Sequence, residues 1–110
     1  MKKFLVLFRM DMEAMKKMME TTSAEERQKG MDEWSSWMKD HMADLADRGG
    51  PVGKNTEMTA GGATEKSNDL GGYSVIQAES KEAAVALLSD NPHFKMPGAV
   101  AEVMEVVSME

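Results

Sequence analysis

Leu70-Gly-Gly-Tyr-Ser-Val-Ile-Gln-Ala-Glu-Ser80, with the apolar-periodic run Lys81 to Ser89 behind it, decides how this chain is read. Two glycines release the backbone from a polar loop, and Tyr73 to Ala78 is rich in residues that favour strands. Ser80 then stands where a hydroxyl can cap the next helix. That helix turns Ala84, Leu87 and Leu88 inward, and Asn91-Pro92 closes it. A strand running into a capped helix marks an α+β domain.

Downstream, His93 to Gly98 reads as a proline-flanked loop and Val100 to Ser108 as the last strand. Val103 and Val107 fall on one face of that strand, Met104 and Val106 on the other. Upstream, Pro51 to Gly72 is polar and glycine-rich, with Asn55 to Thr59 expected as an edge strand and the remainder as a loop. Ser23 and Glu26 form a capping box that opens a helix expected to reach Arg48, where Gly49-Gly50-Pro51 stops it. Its inward stripe is Met31, Trp34, Met38, His41 and Leu45, flanked by Trp37 and Met42. Methionines at 12, 15 and 19 give Asp11 to Glu20 helical spacing, so the first helical region is split. Phe4-Leu-Val-Leu-Phe8 is too short for a buried helix and reads as a central strand covered on both sides.

The order is β-α-β-β-α-β, the ferredoxin-like arrangement, in which both helices lie on one face of an antiparallel sheet. The first and last strands are apolar on both sides, so the helices leave greasy surface over. A second copy packed sheet to sheet is the simplest cover, and a homodimer is expected.

With 110 residues there is room for one domain, residues 1–110. A net charge of −6 with scattered basic residues argues against a nucleic-acid partner. The absence of cysteine removes disulfides, thiolate metal sites and cysteine nucleophiles. The apolar run after Lys2-Lys3 is too short for a secretory signal, and no stretch could span a bilayer, so no membrane partner and a cytoplasmic location are expected. Thirteen methionines, most in or beside the two N-terminal helical segments, are adaptable core filler.

Four pieces of sequence carry a family likeness. They are Phe4 to Arg9, Trp34…Trp37-Met38…Leu45…Gly49, Glu65 to Ser80, and Asn91-Pro-His-Phe-Lys-Met-Pro-Gly98 leading to Glu102-Val103. In these the chain resembles the YCII-related family, and within it the DGPF-type branch. The resemblance implies a dimeric α+β barrel and a biochemical role largely unsettled, with some members encoded near alternative sigma factors. YCII relatives carry a main-helix histidine paired with an aspartate as a proposed catalytic dyad. Counted back from Gly49, that position here is Trp37. The Asp-Gly-Pro-Phe motif falls on Ala60-Gly61-Gly62-Ala63 and keeps only a glycine.

Six side chains are candidates for a pocket: Arg9, Trp34, Trp37, His41, Tyr73 and His93. His41, near Asp44 on the helix, has the chemistry of a general base, against the plainer role of a packed imidazole. His93 lies in a loop that could reach a pocket mouth. Trp34, Trp37 and Tyr73 could stack on a planar ligand or anchor the core. Arg9 could hold an anion, or pair with Asp11 or Glu105. Two histidines far apart in sequence do not make a metal site, and no glycine pair has phosphate-loop spacing. No metal and no cofactor are expected. The leading expectation is a homodimer binding a small molecule between helix, sheet and partner subunit. The rivals are a cofactor-free enzyme doing proton-transfer or oxygen-dependent chemistry on a small aromatic or carbonyl compound, with His41 as base, and a regulatory partner linked to transcription.

Overall fold

In the run Lys2–Arg9 (β1), Phe4, Val6 and Phe8 are buried while Leu5, Leu7 and Arg9 are half-buried, so the unbroken apolar stretch does alternate between two faces. The structure, a computed structural model, describes residues 1–109. Strand β1 is central, flanked by Leu70–Ala78 (β5) and Val100–Glu105 (β6), both antiparallel to it. Leu45–Pro51 (β2) lines the outer edge of β5, giving the order β2-β5-β1-β6.

Met12–Thr21 (α1), Ala24–Asp40 (α2) and Lys81–Leu88 (α3) supply the helical side. Each starts at a side-chain cap, from Asp11, Ser23 and Ser80 respectively, which satisfies an orphan amide of the first turn. The core gathers Phe4, Val6, Phe8 and Ile76 from the sheet with Trp37, Ala84 and Leu88 from the helices. Around it pack Trp34, Met38, Leu45, Leu87, Ala101 and Val103.

Two expectations give way here. The main helix ends at Asp40, not Arg48, with His41 as its C-cap and a single 3-10 turn at Met42–Asp44. Residues expected to be helical, from Leu45 on, instead become an edge strand. Helical preference is worth only tenths of a kcal/mol per residue, whereas the edge of β5 would lie bare without a partner strand. Gly49 is therefore a strand residue rather than a helix stop. Its φ is +67° and a Cβ there would run into the Tyr73 carbonyl, so only glycine lets β2 come this close.

The second change follows. Thr56–Thr59 (β3) is a strand, as expected, but it pairs with Gly62–Glu65 (β4) in a hairpin of its own, exposed throughout, and not with the main sheet. The inward stripe of α2 is also rotated from the expected one. Trp37 is its buried residue, with Trp34 and Met38 beside it, while Met31 and Met42 are exposed.

The helices cover one sheet face only. On the other, Val75, Leu5 and Met104 form one cross-strand row, and Tyr73, Leu7 and Glu102 the next. Among the described residues, the core cluster takes none of its members from these rows. The molecule is a slab of 47 × 44 × 18 Å. Its radius of gyration is 15.6 Å, against about 13 Å for a globular domain of this size.

Candidate functional site

The strand ends at Arg9 bring three loops together. Met10 and Asp11 leave β1, Ser67 to Asp69 lead into β5, and Pro97-Gly98 lead into β6. Backbone bonds lock them: Met10 N–H donates to Asp69 O at 3.0 Å and Asp11 N–H to Pro97 O at 3.2 Å. Asn68 Oδ1 accepts the Leu70 amide at 2.9 Å, an Asx turn that fixes the approach to the strand. Between these loops and the first turn of α1 lies an open cleft of about 460 Å³. Its walls are Met10, Met12 and Gly98 on the apolar side and Asp11, Glu13, Ser67, Asn68 and Asp69 on the polar side.

Arg9 braces this cleft. Its Nε lies 3.1 and 3.0 Å from the two Asp69 carboxylate oxygens, and Nη2 lies 3.0 Å from Oδ2. The fork of donors matches the carboxylate, and the hydrogen bonds to Arg9 hold the Asp69 carboxyl below its ordinary range. Bonding to Asp69 in turn raises Arg9. The partner is neither Asp11 nor Glu105, the two the sequence offered. Arg9 follows the alternation of β1 onto the uncovered sheet face, so Asp69 stands where that face and the cleft meet.

A depressed carboxyl makes a signed prediction. The unfolded chain binds a proton at Asp69 at a higher pH than the folded chain does. The tie is therefore fully present above the ordinary value of 3.8 and is lost as pH falls through the lowered one. Glu33, lowered by its bond to Lys95 at 2.6 Å, behaves likewise. In thermal melts, Asp69→Asn should unfold earlier than the parent near neutral pH, with the gap closing in strong acid. A gap that is constant across the acid range would count against the pair.

On the helical side of the sheet stands a second grouping. Trp37 Nε1 donates to Asp90 Oδ1 at 2.9 Å, and the His41 ring lies over Trp37 with centroids 4.5 Å apart and a tilt of 40°. His41 Nε2 is 3.9 Å from the same Asp90 oxygen, outside hydrogen-bond range. The carboxylate facing the imidazole is thus Asp90 and not the nearby Asp44, whose amide bonds the His41 carbonyl instead. From Trp37 the ring contacts continue to Trp34 at 6.3 Å, Phe8 at 5.4 Å and His93 at 5.0 Å. His93 is buried, and its Nε2–H is shared by the carbonyls of Arg9 at 2.9 Å and Val100 at 3.1 Å. It holds the β6 entry loop to β1, with that nitrogen fully engaged.

Of the six candidate residues, Trp34, Trp37, His41 and His93 therefore join in one ladder of rings through Phe8. Arg9 and Tyr73 lie on the opposite sheet face. Asp69 and Asp90, the two partners that organise these sites, were not singled out in the sequence. Each sits in a turn-forming cluster, Ser67-Asn-Asp69 and Asp90-Asn-Pro92, which was the available signal. Among the described residues no group of three or more His, Cys, Asp and Glu is placed to hold a metal ion, and no helix is long and apolar enough to cross a membrane.

The model of the YCII-related domain matches residues 4–110. Among solved structures, the chain is similar to 5-chloro-2-hydroxyhydroquinone dehydrochlorinase (TftG) from Burkholderia phenoliruptrix AC1100, in complex with 2,5-dihydroxybenzoquinone. That likeness has a TM-score of 0.54 at 14% identity and covers 91% of this chain and 90% of the other. Among proteins of curated function, none matches.

Proposed function

The chain belongs to the YCII-related family, and from that premise we propose that it is a homodimeric protein that binds a small ring compound in the cleft beside Arg9 and Asp69. The observation that carries this reading is the bare sheet face. Leu5, Leu7, Tyr73, Val75 and Met104 form an apolar surface on a slab only 18 Å thick, and monomers rarely expose one. A second copy laid on that face would also wall the cleft along its Arg9–Asp69 side. The pocket would then lie between helix α1, the sheet and the partner.

The walls favour a particular chemistry. Carboxylates and amide or hydroxyl oxygens offer acceptors, while the two thioethers offer a soft apolar surface. A small aromatic bearing hydroxyl donors suits both. TftG, similar in fold, holds a dihydroxylated quinone, which supports a ligand of this size. Calorimetric titration with hydroquinone should give saturable binding at one site per chain, and the dimethyl ether, which has no donors, should not bind. Equal behaviour of the two compounds would remove the proposed cleft chemistry.

The place of His41 beside Asp90 favours a second reading, catalysis with His41 as base. Against it, the imidazole is only 22% exposed and stacked on Trp37. His41→Ala is expected to lower stability by about 0.5–1.5 kcal/mol, the worth of the ring stack. Hydroquinone affinity should be unchanged. Release of chloride from a chlorinated hydroquinone by the parent chain, abolished in this variant, would establish the enzyme instead.

A further inference from the structure

Helix α1 is fastened by a kind of side chain that the buried core does not use. Its apolar residues are Met12, Ala14, Met15, Met18 and Met19, with no leucine, isoleucine, valine or aromatic ring. None of its residues is buried. Ala14, Met15 and Met18 are half-buried and lie on one stripe of the helix, while Met12 and Met19 are 44% and 56% exposed. The buried core, in contrast, consists of phenylalanine, valine, isoleucine, tryptophan, alanine and leucine and contains no methionine.

We propose that the methionine face of α1 is a site of oxidation by hydrogen peroxide, and that sulfoxide formation there loosens α1 while leaving the core intact. In the step, a thioether sulfur attacks one oxygen of a peroxide and the O–O bond breaks. The sulfur gains that oxygen and is oxidised by two electrons, and the peroxide is reduced to water. The product is a polar, chiral sulfoxide in place of a flexible apolar group. At Met15 and Met18 this puts a polar group into the half-buried stripe of the helix. Its start stays tethered, because the Asp11 cap and the Asp11 to Pro97 bond are made by oxygen and nitrogen atoms that peroxide does not alter. The result is a hinge at Asp11. Met12 and Glu13 form one wall of the cleft, so that wall moves with the helix. The proposal rests on α1 alone and holds whether or not the cleft binds a ring compound.

The test combines peroxide treatment, peptide mass mapping and amide hydrogen exchange on the full chain. The expected result is oxygen gained at Met12, Met15, Met18 and Met19, with exchange across residues 14–21 accelerated by roughly tenfold or more and the sheet unchanged. The double variant Met15→Leu with Met18→Leu keeps the apolar volume and cannot be oxidised at those positions. In it, α1 should stay protected after the same treatment. Three outcomes would overturn the proposal. One is an oxidised α1 whose exchange does not change. Another is loosening to the same extent in the double variant. The third is a mass map in which Met1 and Met109 saturate while Met15 and Met18 remain unoxidised.

Discussion

Replacing Leu5 with lysine is expected to convert the proposed dimer into a folded monomer of 12.1 kDa. Leu5 is at the middle of the uncovered face, on the central strand, with Val75 on one side and Met104 on the other. In a single chain the new ammonium would stand in water, so the fold should survive and the circular dichroism should be unchanged. In a sheet-to-sheet dimer, two copies of that charge would be enclosed, with Glu102 of the next row as an acidic neighbour on the same face. Each costs several kcal/mol to desolvate, which weakens association on the order of a hundredfold or more. Light scattering should read twice the chain mass for the parent at micromolar concentration and the single mass for the variant. A parent that is already monomeric would remove the dimer and with it the enclosed cleft. A variant that stays dimeric would place the interface elsewhere.

The second large effect belongs to Trp37. It is 6% exposed, touches Trp34 and His41, and bonds Asp90 through its indole nitrogen. Trp37→Ala should cost about 3–5 kcal/mol through the lost burial and the cavity left behind. That corresponds to a fall in Tm of roughly 10–30 °C for a domain of this size. Trp37→Phe keeps most of the ring and loses only the bond to Asp90, whose side chain is 71% exposed and can turn to water. It should cost far less. If the phenylalanine variant unfolds as readily as the alanine one, the Asp90 bond and not the packing is the anchor. In the YCII-type pattern the histidine of the proposed dyad falls at this position. Here the tryptophan makes it a core position, and the first imidazole on that side of the helix comes one turn later, at the helix C-cap.

The acid sensitivity of Asp69 and the behaviour of His41 test the two ends of the molecule separately. Asp69 reports on the braced cleft and His41 on the ring ladder. The two lie on different structural supports, so a change at one should leave the other intact.

Local chemistry was enough to fix much of this architecture. The unbroken apolar run from Phe4 to Phe8, the caps at Ser23 and Ser80, and the glycine-led strand at Leu70 each act within a few residues of themselves. Apolar strand surface in excess of what two helices can cover was legible for the same reason, because a strand has two faces and its residue types are known. What the sequence could not determine was decided across distance. Leu45 to Arg48 follows a helix and has moderate helical preference, yet the free edge of β5 captures it, and Gly49 serves the close approach instead of ending a helix. Arg9 had acidic residues nearer in sequence, but Asp69 is where the β5 entry loop places its carboxylate. The rotation of α2 that buries Trp37 and exposes Met31 goes with the packing of that indole against Phe4, Ile76 and Leu88, residues far from it in the chain, and Asp90, more than fifty positions away, accepts its N–H. In each case the chain's own period left two outcomes close in energy, and a contact made only in the folded molecule separated them.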